Sequence, residues 1–239
     1  MPLNKSRGNM YDFVTHMHSH LGGECPHKCS YCYVQKNRFG VPDRYKGEPR
    51  LIEKELLVNY GSGKTIFIEH MNDLFAYKIK YEWIKTICEH CKKYPDNKYI
   101  FQTKNPIRAL EYFEYFPSNF MIGTTIETNR KDTYKFSEAP YTWSRGQALK
   151  LFVDKGIQVF VTIEPITDFD ITDEFNNGLL DWMKEIKPAF INIGADSKNC
   201  NLPEPSPEKV RALIEGLQGA GLTIKKKSNL RRILERDQP

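Results

Sequence analysis

The sequence predicts an α/β fold, a partial (β/α)6 barrel built as one domain over residues 1–239. Three observations carry that expectation. Short apolar runs such as Ile66-Phe67-Ile68 alternate with longer segments whose apolar residues recur at helical spacing. The runs are continuously apolar, which suits strands of a parallel sheet covered by helices. The chain has 239 residues, 40% hydrophobic and 13% aromatic, enough for one barrel core.

Tyr11 to Met17 reads as the first strand, followed by a Gly22-Gly23 loop and a Gly/Pro-punctuated connection over Tyr33 to Glu48. Leu51 to Tyr60 reads as a helix closed by Gly61, and Lys64 to His70 as a buried strand. Tyr81, Ile84, Ile87, Cys88 and Cys91 share one helical face, so Tyr81 to Tyr94 is a helix ended by Pro95. Tyr99 to Thr103 is a strand, Pro106 opens a helix carrying Leu110 and Phe113, and Phe120 to Ile126 is the next strand. Ser144 to Lys155 is a helix stopped by Gly156, then Ile157 to Ile163 a strand. Leu179, Met183 and Ile186 mark a helix before Pro188, and Ala189 to Ile193 a strand. Ser206-Pro207-Glu208 is an N-cap, first-turn proline and acidic first turn, opening a helix with Val210, Leu213, Ile214 and Leu217 on its apolar face. Leu222 to Ile224 is the last strand, and Arg231 to Pro239 a charged terminal helix that frays.

No apolar run reaches the length of a membrane span, and Met1-Pro2-Leu3-Asn4-Lys5 has no signal-peptide core, so a cytoplasmic protein without a membrane partner is expected. Six cysteines in a chain this long do not imply a disulfide framework. The net charge of +5 fits an anionic small molecule or nucleic acid without choosing between them.

The chemistry concentrates in Cys25-Pro26-His27-Lys28-Cys29-Ser30-Tyr31-Cys32. Three thiolates at C-x-x-x-C-x-x-C spacing suit three irons of a four-iron cluster, leaving the fourth without a protein ligand. A structural zinc site needs a fourth Cys or His, and His27 inside the loop keeps that alternative open. With Tyr31 as the aromatic before the last cysteine, the motif resembles the radical S-adenosylmethionine (radical SAM) superfamily. That resemblance implies a TIM-like barrel of the radical SAM type. It also implies a [4Fe-4S] cluster on Cys25, Cys29 and Cys32, and S-adenosyl-L-methionine (SAM) chelating the open iron. Reductive cleavage would give methionine and a 5′-deoxyadenosyl radical, with electrons from a reductant such as flavodoxin or ferredoxin.

Functional residues of such a barrel gather at the C-terminal strand ends. His16 and His18, then Glu69, Asn72 and Asp73, then Lys104, Thr125, Glu127, Glu164, Asn192, Asp196 and Lys225 to Lys227 fall there. About half of such residues are polar only because the chain is leaving the core. The resemblance places Tyr31, Tyr33, Asn72, Asp73, Thr125 and Glu127 against SAM; Glu69-His70-Met71-Asn72-Asp73 stands where the superfamily has a Gly-Gly-Glu-like run. Glu69, Glu164 and His16 are the expected catalytic groups. His18, Lys104, Asn192, Asp196 and Lys225 are the expected substrate contacts.

Phe101-Gln102-Thr103-Lys104-Asn105-Pro106, Ile163-Glu164-Pro165 and Ile191-Asn192-Ile193-Gly194 resemble small phage-associated radical SAM proteins of the DUF5131 type. The chain is also similar to radical SAM queuine lyases. That likeness implies a small nucleotide-like substrate, queuosine 5′-phosphate, from which a lyase releases queuine. A radical SAM enzyme modifying nucleic acid is the alternative, which the modest charge disfavours, and a non-enzymatic Fe–S or zinc protein is the third.

Gly61-Ser62-Gly63-Lys64-Thr65 lacks the first glycine of a P-loop, having Val58 there, and precedes a strand rather than a helix. Cys88 and Cys91, on a helix's apolar face, read as small buried hydrophobes rather than ligands of a second cluster with Cys200. Lys225-Lys226-Lys227 with Arg231 and Arg232 reads as solvated surface or as a phosphate site after the last strand.

Overall fold

The computed structural model describes residues 3–6, 10–131, 136–172 and 177–236. Met1 and Pro2, and residues 237–239 of the expected terminal helix, lie outside the described residues. One sheet has the order β1 (Asn4–Lys5), β2 (His16–His18), β5 (Thr65–Ile68), β6 (Lys98–Gln102), β7 (Phe120–Thr125), β8 (Val159–Ile163), β9 (Phe190–Ile193) and β10 (Ile224–Lys226). From β2 onward every neighbouring pair is parallel; β1 adds to the edge antiparallel. Helices α1 (Tyr81–Lys92), α2 (Pro106–Leu110), α3 (Thr142–Val153), α4 (Leu179–Ile186) and α5 (Pro207–Gly219) make the crossovers between consecutive strands from β5 to β10. A short α6 (Arg231–Leu234) follows.

Period-two alternation sorts each strand between two cores. Phe67, Ile100, Met121, Phe160 and Phe190 point to the concave face, where Tyr11 and Val14 pack among them. Their neighbours Ile66, Ile68, Tyr99, Phe101, Ile122, Val161 and Ile191 point outward into the helical layer. Each fully buried side chain of this kind contributes about 1.5–3 kcal/mol of transfer free energy. The helices meet that layer with the apolar stripes expected: Ile84, Ile87, Cys88 and Cys91 on α1, and Val210, Leu213, Ile214 and Leu217 on α5. Ser206 caps α5 by accepting the Lys209 N–H at 3.3 Å, with Pro207 in the first turn.

Two expectations are corrected. Tyr11 to Met17 is not one strand; β2 covers His16–His18, and Tyr11 instead plugs the concave core. Leu51 to Tyr60 is not an α-helix. Leu21–Gly22 (β3) pairs antiparallel with Arg50–Leu51 (β4), and Glu53–Leu57 form a single 3-10 segment. The Glu55 side chain is buried, receiving Arg44 Nη1 at 2.7 Å, and its carbonyl lies 3.2 Å from His18 Nε2. That carbonyl is thus engaged by a side chain, and Leu57 is left 83% exposed, so tertiary pairing overrides the local helical pattern. The β2–β5 connection therefore contains no α-helix.

Candidate active site

At the C-terminal ends of the strands lies a cavity of about 630 Å³, and Cys25, Cys29 and Cys32 all line it. The loop that carries them is a series of tight turns: Lys28 N–H donates to the Cys25 carbonyl at 3.2 Å, and Cys32 N–H to that of Cys29 at 3.0 Å. Gly23 launches the loop with φ +85°, and a Cβ there would sit 2.2 Å from the Glu48 carbonyl oxygen, so glycine is required.

Successive strand ends grip this loop. After β5, Asn72 Nδ2 donates to the Gly23 carbonyl at 3.1 Å, and Asp73 Oδ2 meets His27 Nε2 at 2.9 Å. The same carboxylate accepts Thr103 Oγ1 at 2.7 Å and Lys104 N–H at 2.7 Å after β6, and Phe75 N–H at 3.0 Å. After β7, Glu127 accepts the Tyr31 hydroxyl, Lys104 Nζ at 2.5 Å and Arg145 Nη1 at 3.0 Å. Burial alone would raise the Glu127 pKa, but the Arg145 and Lys104 charges outweigh it and hold the carboxyl at about 2. Asp73 is likewise held below its ordinary value: burial opposes ionisation, while His27 and the donors around it favour it.

Residues 20–143, just over half of the chain, match the family described as Protein of unknown function (DUF5131). The chain belongs to the DUF5131 family. No curated protein matches the sequence. In fold, this DUF5131 chain is similar to spore photoproduct lyase with bound AdoMet and dinucleoside spore photoproduct: TM-score 0.60, 11% identity, covering 92% of this chain and 80% of that one. Another spore photoproduct lyase structure gives a TM-score of 0.62 at 10% identity, over 92% and 79% of the two chains. Streptococcus suis SuiB bound to S-adenosylmethionine gives 0.56 at 12% identity, over 89% of this chain and 50% of SuiB.

The DUF5131 cavity gathers many of the residues singled out above. Tyr31, Tyr33, Glu69, Asn72, Asp73, Lys104, Thr125, Glu164 and Asp196 line it. Glu127 braces Tyr31 and Lys104 from behind, and Asn72, Asp73 and Glu127 each give one contact to the cysteine loop, at Gly23, His27 and Tyr31, and their others to neighbouring strand ends and α3. Asp196 caps its own loop, accepting the backbone N–H of Lys198 at 2.9 Å and that of Cys200.

His16, His18, Asn192 and Lys225 are placed off the cavity wall. Met17 faces inward on β2, so its neighbours His16 and His18 turn to the opposite side, His16 Nδ1 lying 2.9 Å from Thr15 Oγ1. Asn192 lies below the wall, with Nδ2 3.4 Å from Thr162 Oγ1. Lys225 sits over the Phe13 and Phe190 rings and 3.2 Å from Asp12. Two residues further on, Lys227 reaches the cavity and pairs with Glu164 at 3.4 Å. Gly194 makes room for that carboxylate, since a Cβ there would lie 2.7 Å from it, and Asn229 Nδ2 donates to it at 2.8 Å.

Tyr11, Gln102 and Thr162 were not among the expected site residues, and Lys227 was named only within the basic run after the last strand. The Tyr11 hydroxyl lies 2.7 Å from Thr162 Oγ1 and donates to Gln102 Oε1, whose Nε2 meets Thr125 Oγ1 at 3.2 Å. Alternation along β6 and β8 from inward Ile100 and Phe160 would have found Gln102 and Thr162. No local signal marks Tyr11, which arrives from a turn.

Proposed function

We propose that this DUF5131 protein is a radical SAM enzyme carrying a [4Fe-4S] cluster on Cys25, Cys29 and Cys32. The observation that carries the reading is the convergence of these three cysteines on one deep cavity at the strand ends, in a fold shared with two SAM-bound proteins. The donor set fits. Burial pushes the Cys25 and Cys29 thiols up, and bound iron would supply the positive charge that favours their thiolates. Zinc fits less well: among the described residues no three His, Cys, Asp or Glu side chains gather to hold a single ion. When bound, cluster and SAM supply reductive cleavage to methionine and a 5′-deoxyadenosyl radical that takes a substrate hydrogen.

The chain's own residues set the geometry for that chemistry. Asn72, Asp73 and Glu127 hold the cysteine loop rigid, and Tyr33, Gln102 and Thr125 offer polar atoms on the cysteine side of the wall, where SAM would lie. Across the cavity, Glu164 held by Asn229 and Lys227, with Asp196 nearby, suits a substrate presenting both N–H or hydroxyl donors and an anionic group. A small nucleotide meets that description, and we assign the reaction to base release from queuosine 5′-phosphate, in a reducing cytoplasmic setting with flavodoxin or ferredoxin as electron source.

The test is anaerobic incubation of cluster-loaded protein with reductant, SAM and queuosine 5′-phosphate. Free queuine with 5′-deoxyadenosine is the expected outcome. Release of 5′-deoxyadenosine without queuine would overturn the lyase assignment and leave the enzyme class; an electron paramagnetic resonance spectrum indifferent to SAM would overturn both.

A further inference from the structure

At the base of the cavity wall, Glu69 follows β5 with φ +60° and a side chain 1% exposed. Its Oε1 accepts the His20 backbone N–H at 2.5 Å and faces His20 Nδ1 at 2.9 Å, while Oε2 accepts the Leu21 N–H at 3.3 Å. His20 Nε2 faces His90 Nδ1 at 3.1 Å and the Tyr60 hydroxyl at 2.8 Å. His90, on α1, places Nε2 3.0 Å from the Val58 carbonyl oxygen.

Hydrogens in this chain can be counted. The Val58 carbonyl only accepts, so His90 Nε2 carries a hydrogen, and a neutral His90 has a lone pair on Nδ1. An ionised Glu69 also only accepts, so His20 Nδ1 would carry its ring's hydrogen and Nε2 would be a lone pair as well. Two lone pairs would then face each other at 3.1 Å. The Tyr60 hydroxyl can donate to His20 but brings nothing to His90 Nδ1. One added proton resolves the conflict. Either the Glu69 carboxyl donates to His20 Nδ1 and His20 Nε2–H to His90, or the ring pair shares the proton against an ionised Glu69. In both arrangements a hydrogen occupies the His20–His90 gap and the trio is neutral.

We infer that Glu69, His20 and His90 form a one-proton chain that positions the connector after β2, and so the start of the cysteine loop. Glu69 is thereby a positioning residue rather than an acid or base for the cavity. This stands whatever the cysteines hold. Burial raises the Glu69 carboxyl to about 7 despite the His20 and Leu21 amides, and burial lowers His20 to about 3 and His90 to about 4, which puts the added proton on the carboxyl end.

The surrounding charges leave that balance in place. The His18 ring packs 4.6 Å from that of His20, and Glu55 beside it is paired with Arg44 at 2.7 Å. His70 Nδ1 is 3.0 Å from Ser19 Oγ. Cys91 and Tyr45 feel the Glu69 charge, Tyr94 and Tyr99 act through Tyr60, and Lys93 acts on His90.

The test is nuclear magnetic resonance of the full-length chain with ¹⁵N-labelled histidine, with amide exchange read at Leu21. At about pH 6 one ring proton should couple to nitrogens of both His20 and His90, and at about pH 8.5 it should be lost. In Glu69→Gln the side chain cannot ionise, and an amide N–H can stand where the carboxyl proton stood, at the loss of the acceptor for the His20 backbone N–H, so the shared hydrogen should persist at both pH values. Amide protection of Leu21, corrected for intrinsic rates, should change with pH in the wild type alone. Absence of a shared proton at the lower pH, or its loss from Glu69→Gln at the higher pH, would each overturn the inference.

Discussion

Arg145 and Glu127 show how single residues hold the site. Arg145 is 1% exposed and donates to Glu127 Oε2, to the Thr125 carbonyl at 2.9 Å and to the Pro140 carbonyl at 2.7 Å. Glu127→Gln leaves this guanidinium without its carboxylate partner and should cost about 3–5 kcal/mol in urea unfolding near neutral pH. The sign of its pH dependence follows from the depressed pKa. The Glu127 contribution is present above the ordinary value of 4.5 and lost as pH falls towards about 2, so the variant should show a shallower acid limb. Asp73→Asn weakens the His27 contact and should lower iron retention about 10–100-fold, measured by iron release to a chelator. Cys29→Ala should abolish both the cluster's colour and SAM cleavage while the fold persists, because the loop is held by Asn72, Asp73 and Glu127 rather than by its thiols.

At the level of elements, the parallel strands form a wall whose inward row runs from packed rings at the bottom to polar groups at the mouth. On β8, Phe160, Thr162 and Glu164 climb in that order; on β6, Ile100 is followed by Gln102. Gly123 on β7 is the gap in this row, since a Cβ there would lie 2.4 Å from the Phe160 ring. That ring cannot easily retreat, because it is stacked on Phe190 with centroids 5.2 Å apart. Gly123→Ala should therefore cost about 1–3 kcal/mol by overpacking. The expected reading is a lower urea midpoint with an unchanged slope.

Across the whole molecule, the cavity opens where six strand ends and the β2–β5 connection meet, so ligand binding should couple to global stability. SAM at about 100 times its dissociation constant should add about 2.7 kcal/mol to the cluster-loaded protein, a rise in Tm of several degrees, and should add nothing to Cys29→Ala. Among the described residues no helix is long and apolar enough to cross a membrane. Much of the architecture was legible because its signals are local: apolar runs, helical stripes, the Ser206-Pro207 cap and the cysteine spacing all act within a few residues. The same holds for the false leads. The Gly61–Thr65 run is the turn before β5, with Lys64 Nζ turned back to the Tyr60 carbonyl at 2.9 Å, and Cys88 and Cys91 are fully buried on α1.

From its own order of residues the chain determined a wound α/β sheet and a tri-cysteine loop at the strand ends, because hydrophobic period and ligand spacing are short-range properties. Tertiary structure alone decided which carboxylates face the cavity and which clamp the loop. Asp73 and Glu127 look the same in sequence as Glu164, yet the first two are tied to His27, Lys104 and Arg145 beside the cysteine loop while the third is held by Lys227 and Asn229 across the cavity. Tertiary structure likewise decided that Lys227, not Lys225, reaches the mouth, and that Tyr11 plugs the concave core from outside any strand. The physical reason is common to all of these: a side chain's partner is fixed by which distant strand end lies opposite it.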